Sequence, residues 1–247
     1  MTIVTMFDEG TDAVRRYTAD YQALLNSSGR NKFVPPLTPF YCDADMVGRF
    51  SSLVEKYHNI LEHVASEYDR FSGHLGFDGD FHALLSSLPS YQSNVVLGRL
   101  DVFPTPLGLR AIEANAESPG GAAECDTIEG LFGGAFPDLV SGTSSRRRVD
   151  GYLDAILGAY AEQALEKGVV PSPEPRLVLL EWPEDVASHG DRYDIFLNRA
   201  RARGVDASIA SPDEVGCGGG FGVVDGAPVD VFYRRFLLHE LPENHPS

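Results

Sequence analysis

Lysine and cysteine are both scarce in this chain of 247 residues. Lysine occurs at only three positions, and acidic residues outnumber basic ones by 36 to 20, which gives a formal net charge of −16. Nucleic acid is bound through a local excess of Lys and Arg, so this balance argues against a nucleic-acid surface. The three arginines at 146–148 are too few to reverse it, and we expect them in a solvated loop before a helix.

The few cysteines and histidines exclude two further kinds of site. Cys42, Cys125 and Cys217 are odd in number and far apart, so the sequence encodes neither a disulfide framework nor paired zinc ligands. The seven histidines show no H-E-x-x-H or similar ligand spacing.

The N-terminus is mixed and acidic, and no run of about 18 apolar residues is present. We therefore expect a cytoplasmic protein without a membrane partner.

Helical periodicity dominates the first part of the chain. Apolar residues recur at helical spacing over 12–25 and 43–71, with Asp43 as the N-cap of the second helix. Further helices are predicted over 80–87, 123–132 and 149–167. Two β-like runs at 95–103 and 109–114 flank a turn that contains proline and glycine, which predicts a β-hairpin. Residues 1–170 are thus predicted to form a helical unit with an antiparallel hairpin.

A second unit is predicted to begin after the boundary marked by Gly168 and Pro171. Strands at 177–180, 207–210, 222–224 and 229–235, with a helix over 191–203, follow one another as in half of an open α/β sheet. Residues 171–247 are therefore predicted to be a partial, truncated α/β unit. The whole chain is predicted to combine α+β and α/β architecture.

The predicted hairpin brings four polar side chains together. Opposed residues of an antiparallel pair share a constant sum of residue numbers, and a loop centred on Leu107 pairs Asp101 with Glu113 and Arg99 with Asn115. Because side chains alternate between the two faces of a strand, all four lie on one face. The other face carries apolar residues that we expect to pack on a core: Leu100, Val102, Ile112 and Ala114.

This face has the residue types of a magnesium site. Directly opposed carboxylates repel by roughly 0.2–1 kcal/mol, so a cation is expected between them. Mg²⁺ takes oxygen ligands from carboxylates, amides, water and phosphates, which makes Asp101, Glu113 and Asn115 candidate ligands. Arg99 is then a candidate contact for a phosphoryl oxygen. The alternative is that Arg99 neutralises Asp101 and Glu113 in a solvated triad.

The residues of this hairpin also resemble a family pattern. RLD at 99–101 and IEANAESPGG at 112–121 resemble the R-x-D … (L/I)-E-x-N-x-x-x-P-x-G pattern of circularly permuted ATP-grasp proteins. VDVFYRR at 229–235 resembles a second phrase of that family, a strand that ends in Y-R-R. The family includes the synthetase domain of glutathionylspermidine synthase and many peptide-ligase-like proteins.

The resemblance implies a ligand set and a reaction. It implies that Asp101, Glu113 and Asn115 bind Mg²⁺, and that Arg99 contacts the transferring phosphate of ATP or the acyl-phosphate intermediate. Ser118 is implied to act at the acceptor substrate. In such ligases ATP phosphorylates a carboxylate, and an amine then displaces phosphate to form an amide.

Three further residues are candidate substrate contacts. Gly120 belongs to the glycine-containing segment that the resemblance places near the acceptor. Arg234 and Arg235 end a strand of the open sheet, where ligands commonly bind, and suit a carboxylate or phosphate. Equally, these two arginines can pair with the surplus acids of the chain.

The sequence also departs from the family. Family members continue with lysine-bearing strands that clasp the nucleotide, whereas Lys32, Lys56 and Lys167 have no strand-like context. The segment after Y-R-R is FLLHE rather than acidic. We therefore expect the N-terminal half of such a ligase: a fragment, a truncated product, or a protein whose nucleotide-clasping half is a separate chain.

Three other motifs are interpreted as structural. GCGGGFG at 216–222 resembles a phosphate-cradling loop, but no helix follows, which favours a flexible connection. Acidic neighbours should raise the thiol pKa of Cys125, the opposite of what a nucleophile needs. Ser188 and His189 fall in 185–191, which is interpreted as a polar loop between a strand and a helix.

The sequence thus predicts an ATP-dependent carboxylate-amine ligase that is incomplete in this chain, with small-molecule or peptide substrates. The alternative is a binding or assembly module that retains the fold without ATP turnover, which the scarcity of lysine favours for the chain in isolation. A metal-dependent hydrolase is a weaker hypothesis, because nothing beside Asp101 and Glu113 supplies a base or nucleophile.

Overall fold

The computed structural model describes residues 12–27, 40–76, 79–87, 93–143 and 147–238. Its helices are α1 (Asp12–Ser27), α2 (Ala44–Ser66), α3 (Tyr68–Leu75), α4 (Gly79–Ser87), α5 (Ala122–Ala135), α6 (Pro137–Val140), α7 (Arg148–Glu166) and α8 (Pro183–Arg201). Its strands are β1 (Arg99–Thr105), β2 (Gly108–Asn115), β3 (Arg176–Leu180), β4 (Asp206–Ala210), β5 (Gly216–Gly218), β6 (Phe221–Val224), β7 (Ala227–Pro228) and β8 (Val231–Arg234). None of the described helices has the length and apolar character needed to cross a membrane.

The chain forms two compact units, each assembled from separate stretches of sequence. The first comprises Met1–Tyr41, Gly120–Asp154 and Ser172–Arg234, and the second Cys42–Pro119, Ala155–Pro171 and Arg235–Ser247. The division into 1–170 and 171–247 stays a prediction.

The first unit contains a three-stranded parallel sheet in the order β4-β3-β8. After Arg176, the central strand β3 is an unbroken apolar run, as expected for a strand that is covered on both faces. Leu177 and Val178 have no exposed surface, and Leu179 is only 1% exposed. Phe196 of α8 packs on Tyr233 of β8 with the ring centroids 5.4 Å apart. The mixed fold class is confirmed, and three of the four predicted strands form this sheet. The strand predicted at 222–224 lies instead in the separate antiparallel sheet β5-β6-β7.

A second core in this unit is aromatic. Tyr17 of α1 is fully buried and meets Phe132 and Phe136 of α5 and its C-terminus, with ring centroids 5.8 and 5.9 Å away. The edge-to-face arrangement of these rings is the one that their quadrupoles favour. The apolar face of α1 that the sequence pattern predicts therefore packs, through Tyr17, on the buried rings of Phe132 and Phe136.

The start of α7 is fixed by a side chain from α5. Asp126 accepts hydrogen bonds from the backbone N–H groups of Arg148 and Val149, at 2.9 and 3.0 Å, and so satisfies two donors of the first turn. The Arg148 guanidinium pairs with Asp126 and Glu129. The interpretation of 146–148 as a solvated loop is therefore wrong at Arg148, while Arg146 lies outside the described residues.

In the second unit, α2 begins where the sequence indicates, because the Asp43 side chain accepts from the Met46 N–H at 2.7 Å. The prediction of one helix over 43–71 is wrong at Glu67, whose φ of −112° and ψ of 36° end α2 and begin α3. No glycine or proline marks this break, so composition gives no sign of it. No residue of α2 or α3 is buried.

Two segments of the first unit that are predicted to be loops, 185–191 and 216–222, have regular secondary structure instead. Residues 185–191 belong to α8, which starts at Pro183, a residue suited to the first helical position. A kink at His189, with φ of −138°, interrupts the helical period and hides the first two turns from a pattern search.

The segment 216–222 is paired rather than flexible. It forms β5 and the start of β6, joined by Gly219 and Gly220 in the left-handed region at φ of 60° and 84°. A Cβ at Gly216 or Gly218 would approach the Val223 side chain to 3.2 or 3.3 Å, so the glycines permit close pairing of the strands.

Candidate functional site

The antiparallel hairpin of β1 and β2 presents the predicted polar residues as a group. Its register pairs Arg99 with Asn115 and Asp101 with Glu113, as the sequence indicates. The register then shifts by one residue, so that Val102 faces Ala111.

Arg99 lies between the two carboxylates of the hairpin. Its Nε and Nη2 donate to the two carboxylate oxygens of Asp101 at 2.9 and 3.1 Å. Nη2 lies 3.8 Å from Oε1 of Glu113, and that same oxygen accepts from the Asn115 amide at 2.7 Å. All four side chains therefore lie on one face, and Arg99 offsets the repulsion between Asp101 and Glu113.

This group is open to solvent. The Arg99, Asp101 and Glu113 side chains are 39%, 36% and 57% exposed, so solvent weakens the attraction between them. The opposite face does not pack as expected, because Ile112 is 64% exposed and Ala114 is exposed as well. The bulge in the register removes Ile112 from regular pairing, whereas Ala114 stays paired with Leu100.

The carboxylate and amide oxygens at this site suit a cation that also binds oxygen atoms of a ligand. Among the described residues, no group of three or more His, Cys, Asp or Glu side chains is arranged to hold a metal ion. The hairpin supplies two carboxylates and one amide oxygen, from Asp101, Glu113 and Asn115. Mg²⁺ commonly takes one or two protein carboxylates and completes its shell with water and phosphate oxygens, so these residues fit a magnesium-nucleotide complex.

The segment after the hairpin is tied to the segment after β8. The Ser118 hydroxyl donates to the Arg235 carbonyl at 2.6 Å, and Arg235 Nη1 donates to the Pro119 carbonyl at 2.9 Å. The Leu238 N–H donates to Glu117 at 2.8 Å. Arg235, the last residue of one family-like phrase, therefore contacts Ser118 and Pro119 directly. Their contacts fix the backbone around Ser118.

Glu62 of α2 was not recognised in the sequence, although it anchors the approach to β1. Its carboxylate accepts from the Asn94 and Val95 N–H groups at 3.0 and 2.7 Å and from the Ser93 hydroxyl at 2.8 Å. Burial acts to raise the pKa of Glu62, but these hydrogen bonds outweigh it and leave the pKa lowered. No local sequence signal identifies this role, because the partners are distant in the chain.

Glu181 in the first unit was also missed. It is the only buried polar or charged residue in the described ranges, 6% exposed, and directly follows the central strand β3. Tyr193 and the Trp182 N–H donate to its two oxygens at 2.7 and 3.0 Å. Arg234, a predicted substrate contact, ends β8 opposite Leu180. Both residues thus lie at the carboxyl edge of the sheet, where open α/β sheets commonly bind ligands. The signal in the sequence was an acid placed after an unbroken apolar strand.

Other candidates remain structural. Desolvation raises the pKa of the Cys125 thiol, Arg148 lowers it, and the neighbouring carboxylates raise it further, with a net increase. The thiol is thus not activated. Lys56 and Lys167 are exposed and lie outside the strands, while Lys32 lies outside the described residues.

No protein-family profile matches the chain, and no curated protein matches it. The architecture is that of a mixed α+β and α/β protein. Among solved structures it is similar to a glutathione synthetase-like effector from Globodera pallida in its apo form, with a TM-score of 0.61 and 13% identity. The match covers 99% of this chain and 62% of the effector chain, so the chain spans less than two thirds of that protein.

Proposed function

We propose that this chain carries the magnesium-nucleotide corner of an ATP-dependent carboxylate-amine ligase of the circularly permuted ATP-grasp type. The observation that supports this proposal most is the joining of Arg99, Asp101, Glu113 and Asn115 on one hairpin face. The similarity in fold to the glutathione synthetase-like effector agrees with it. The same proposal holds that a complete ligase also contains strands that clasp the nucleotide. It holds too that such a ligase binds an acid and an amine and joins them in an amide bond.

The residues divide the chemistry between them. Asp101, Glu113 and the Asn115 amide oxygen would hold Mg²⁺, which when bound neutralises charge on the phosphates of ATP. Arg99 can turn one edge of its guanidinium from Asp101 to a phosphoryl oxygen, a bidentate contact that stabilises the transferring group. The acid substrate attacks the γ-phosphorus as the bond to ADP breaks. The amine then attacks the acyl carbon, loses a proton and expels phosphate.

The acceptor side is proposed around the segment that follows the hairpin. Ser118, Gly120, Arg234 and Arg235 are its candidate residues. The hydrogen bonds that join Arg235 to Ser118 and to Pro119 support a role in holding this segment for an acceptor. Arg234 supports carboxylate recognition through its place at the carboxyl end of a parallel strand.

A second candidate function is a binding or assembly module without ATP turnover. Two observations favour it: Arg99 already makes two hydrogen bonds to Asp101, and no described strand carries a lysine. Such a module would bind nucleotide weakly or not at all.

Calorimetric titration with MgATP tests the site. We expect the wild-type chain to bind, and the double variant Asp101→Asn, Glu113→Gln to lose binding because both charged ligands are gone. The variant Asp69→Asn, Glu166→Gln removes the same number of charges from exposed positions of the same unit and should bind normally.

Two results would reject parts of this proposal. Wild-type protein that binds no nucleotide rejects the nucleotide site, and equal binding by the double variant rejects the assignment to the hairpin. Release of ADP in the presence of a carboxylate and an amine separates the ligase from the binding module.

A further inference from the structure

The first unit contains a groove between α5, the start of α7 and α8, which is called the α5–α8 groove below. Its volume is about 450 Å³, within the range of roughly 300–1,000 Å³ that small-molecule sites occupy. Its lining includes two apolar and four charged side chains: Val149, Ile195, Asp126, Glu129, Arg147 and Arg199. All six residues belong to the first unit, whereas the hairpin of β1 and β2 belongs to the second.

The acidic side chains of the groove already have donors. Asp126 accepts from the backbone N–H groups of Arg148 and Val149, and the Arg148 guanidinium bridges Asp126 and Glu129. The two N–H groups stand at the start of α7, where the helix dipole adds partial positive charge. These acids are therefore neutralised from within the protein, and a cationic ligand is not needed to balance them.

The arginines of the groove, by contrast, retain donors for a ligand. Arg199 donates Nε and Nη2 to the two oxygens of Asp150, at 2.9 Å each, and its Nη1 makes no hydrogen bond with any residue of the described ranges. Arg147 is exposed, and its guanidinium makes no hydrogen bond or ion pair in the part of the chain that the structure describes. Acids are abundant at a net charge of −16, yet none of the described ones pairs with Arg147. Its positive charge is therefore available at the groove.

We propose that the α5–α8 groove binds a small monocarboxylate that carries an apolar side chain. Arg147 and Nη1 of Arg199 donate to the carboxylate, in hydrogen bonds that the opposite charges strengthen. The apolar side chain of the ligand packs against Val149 and Ile195. A monoanion suits the groove because, of the described arginines that line it, Arg147 alone has no acid partner. This site goes beyond the proposed function, which concerns the hairpin.

Titrations with three probes, followed by two-dimensional NMR of the backbone amides, test this site. The probes are 4-methylpentanoate, its uncharged amide 4-methylpentanamide, and inorganic phosphate. Wild-type protein should bind the acid saturably and more tightly than the other two probes, with shifts at Gly130, Val149 and Ile195. Arg147→Gln should weaken binding of the acid roughly tenfold or more, because a charge-assisted hydrogen bond is lost, and leave binding of the amide unchanged. Arg16→Gln removes one charge from an exposed position of α1 in the same unit and should change neither.

Three results would overturn the inference. Wild-type protein that binds the acid no better than the amide has no carboxylate site, and equal binding of the acid by Arg147→Gln removes the assignment to this groove. Tighter binding of phosphate than of the acid would make the groove a phosphate site. The double variant Asp101→Asn, Glu113→Gln should bind the acid as the wild type does, so failure of the hairpin site and failure of this groove are distinguishable.

Discussion

The hairpin of β1 and β2 differs from the parallel sheet of β3, β4 and β8 in the polarity and burial of its side chains. The hairpin carries charged residues on one face and exposed apolar residues such as Ile112 on the other. The central strand of the parallel sheet buries Leu177, Val178 and Leu179 almost completely. This contrast indicates that the parallel sheet contributes more to the free energy of folding than the hairpin does, while the hairpin offers accessible groups for chemistry.

The largest expected effect tests the structural half of this comparison. Leu179→Ala should lower the free energy of unfolding by about 2–5 kcal/mol, because it removes a buried side chain and leaves a cavity. Ile112→Ala, at a 64% exposed position of the hairpin, should change it by less than about 0.5 kcal/mol. Urea unfolding measures both values, and equal losses at the two positions would contradict the contrast.

The second prediction concerns the packing beside β8. A Cβ at Gly222 would lie 2.4 Å from a ring carbon of Phe232, so Gly222→Ala should cost about 1–3 kcal/mol through overpacking. Gly151 in α7 has nothing within 4 Å of such a Cβ. Gly151→Ala should therefore stabilise the protein slightly, by about 0.5–1 kcal/mol. Thermal unfolding checks both signs, and stabilisation by Gly222→Ala would show that this packing is loose.

Glu62 tests whether the hairpin depends on its anchor. Glu62→Ala leaves the Asn94 and Val95 N–H groups without their acceptor and should cost about 1–3 kcal/mol. Hydrogen exchange at these two amides should accelerate, while exchange in β3 should change less. Unchanged protection at Asn94 and Val95 would mean that another contact holds this segment.

The smallest effect is a dependence on pH. The hydrogen bonds from Arg199, at 2.9 Å each, lower the pKa of Asp150, although desolvation opposes them. Because the folded pKa lies below the unfolded value of about 3.9, the stabilisation is complete above that value and is lost as the pH falls through the folded pKa. The difference in urea midpoint between wild type and Asp150→Asn should therefore shrink below about pH 4. A difference that stays constant would contradict this account.

The pairing of Asp101 with Glu113 and of Arg99 with Asn115 is predicted correctly from the sequence, although the predicted turn is one residue too long. The prediction centred the loop on Leu107, whereas Thr105 pairs with Gly108 and the turn residues are Pro106 and Leu107. The bulge at Ile112 adds the residue that this loop lacks, so the pairing of Asp101 with Glu113 is restored. The residue types of the turn give no sign of the bulge. The bulge places Arg110 on the same face of the hairpin as Glu113.

Other features depend on contacts that no local pattern encodes. Glu62 meets residues 31 to 33 positions away, and the hydroxyl of Ser118 reaches Arg235 over 117 positions. Such pairs form only when distant elements pack. By contrast, β3 and the cap of α2 at Asp43 follow from an apolar run and a single side chain, and the sequence predicted both.

The most direct test is the position of Mn²⁺ in crystals that are soaked with Mn²⁺ and a non-hydrolysable ATP analogue. The account predicts an anomalous peak within about 2.3 Å of oxygen atoms of Asp101 and Glu113, next to the phosphates and beside Arg99. Bound nucleotide with its metal away from this hairpin face would contradict it.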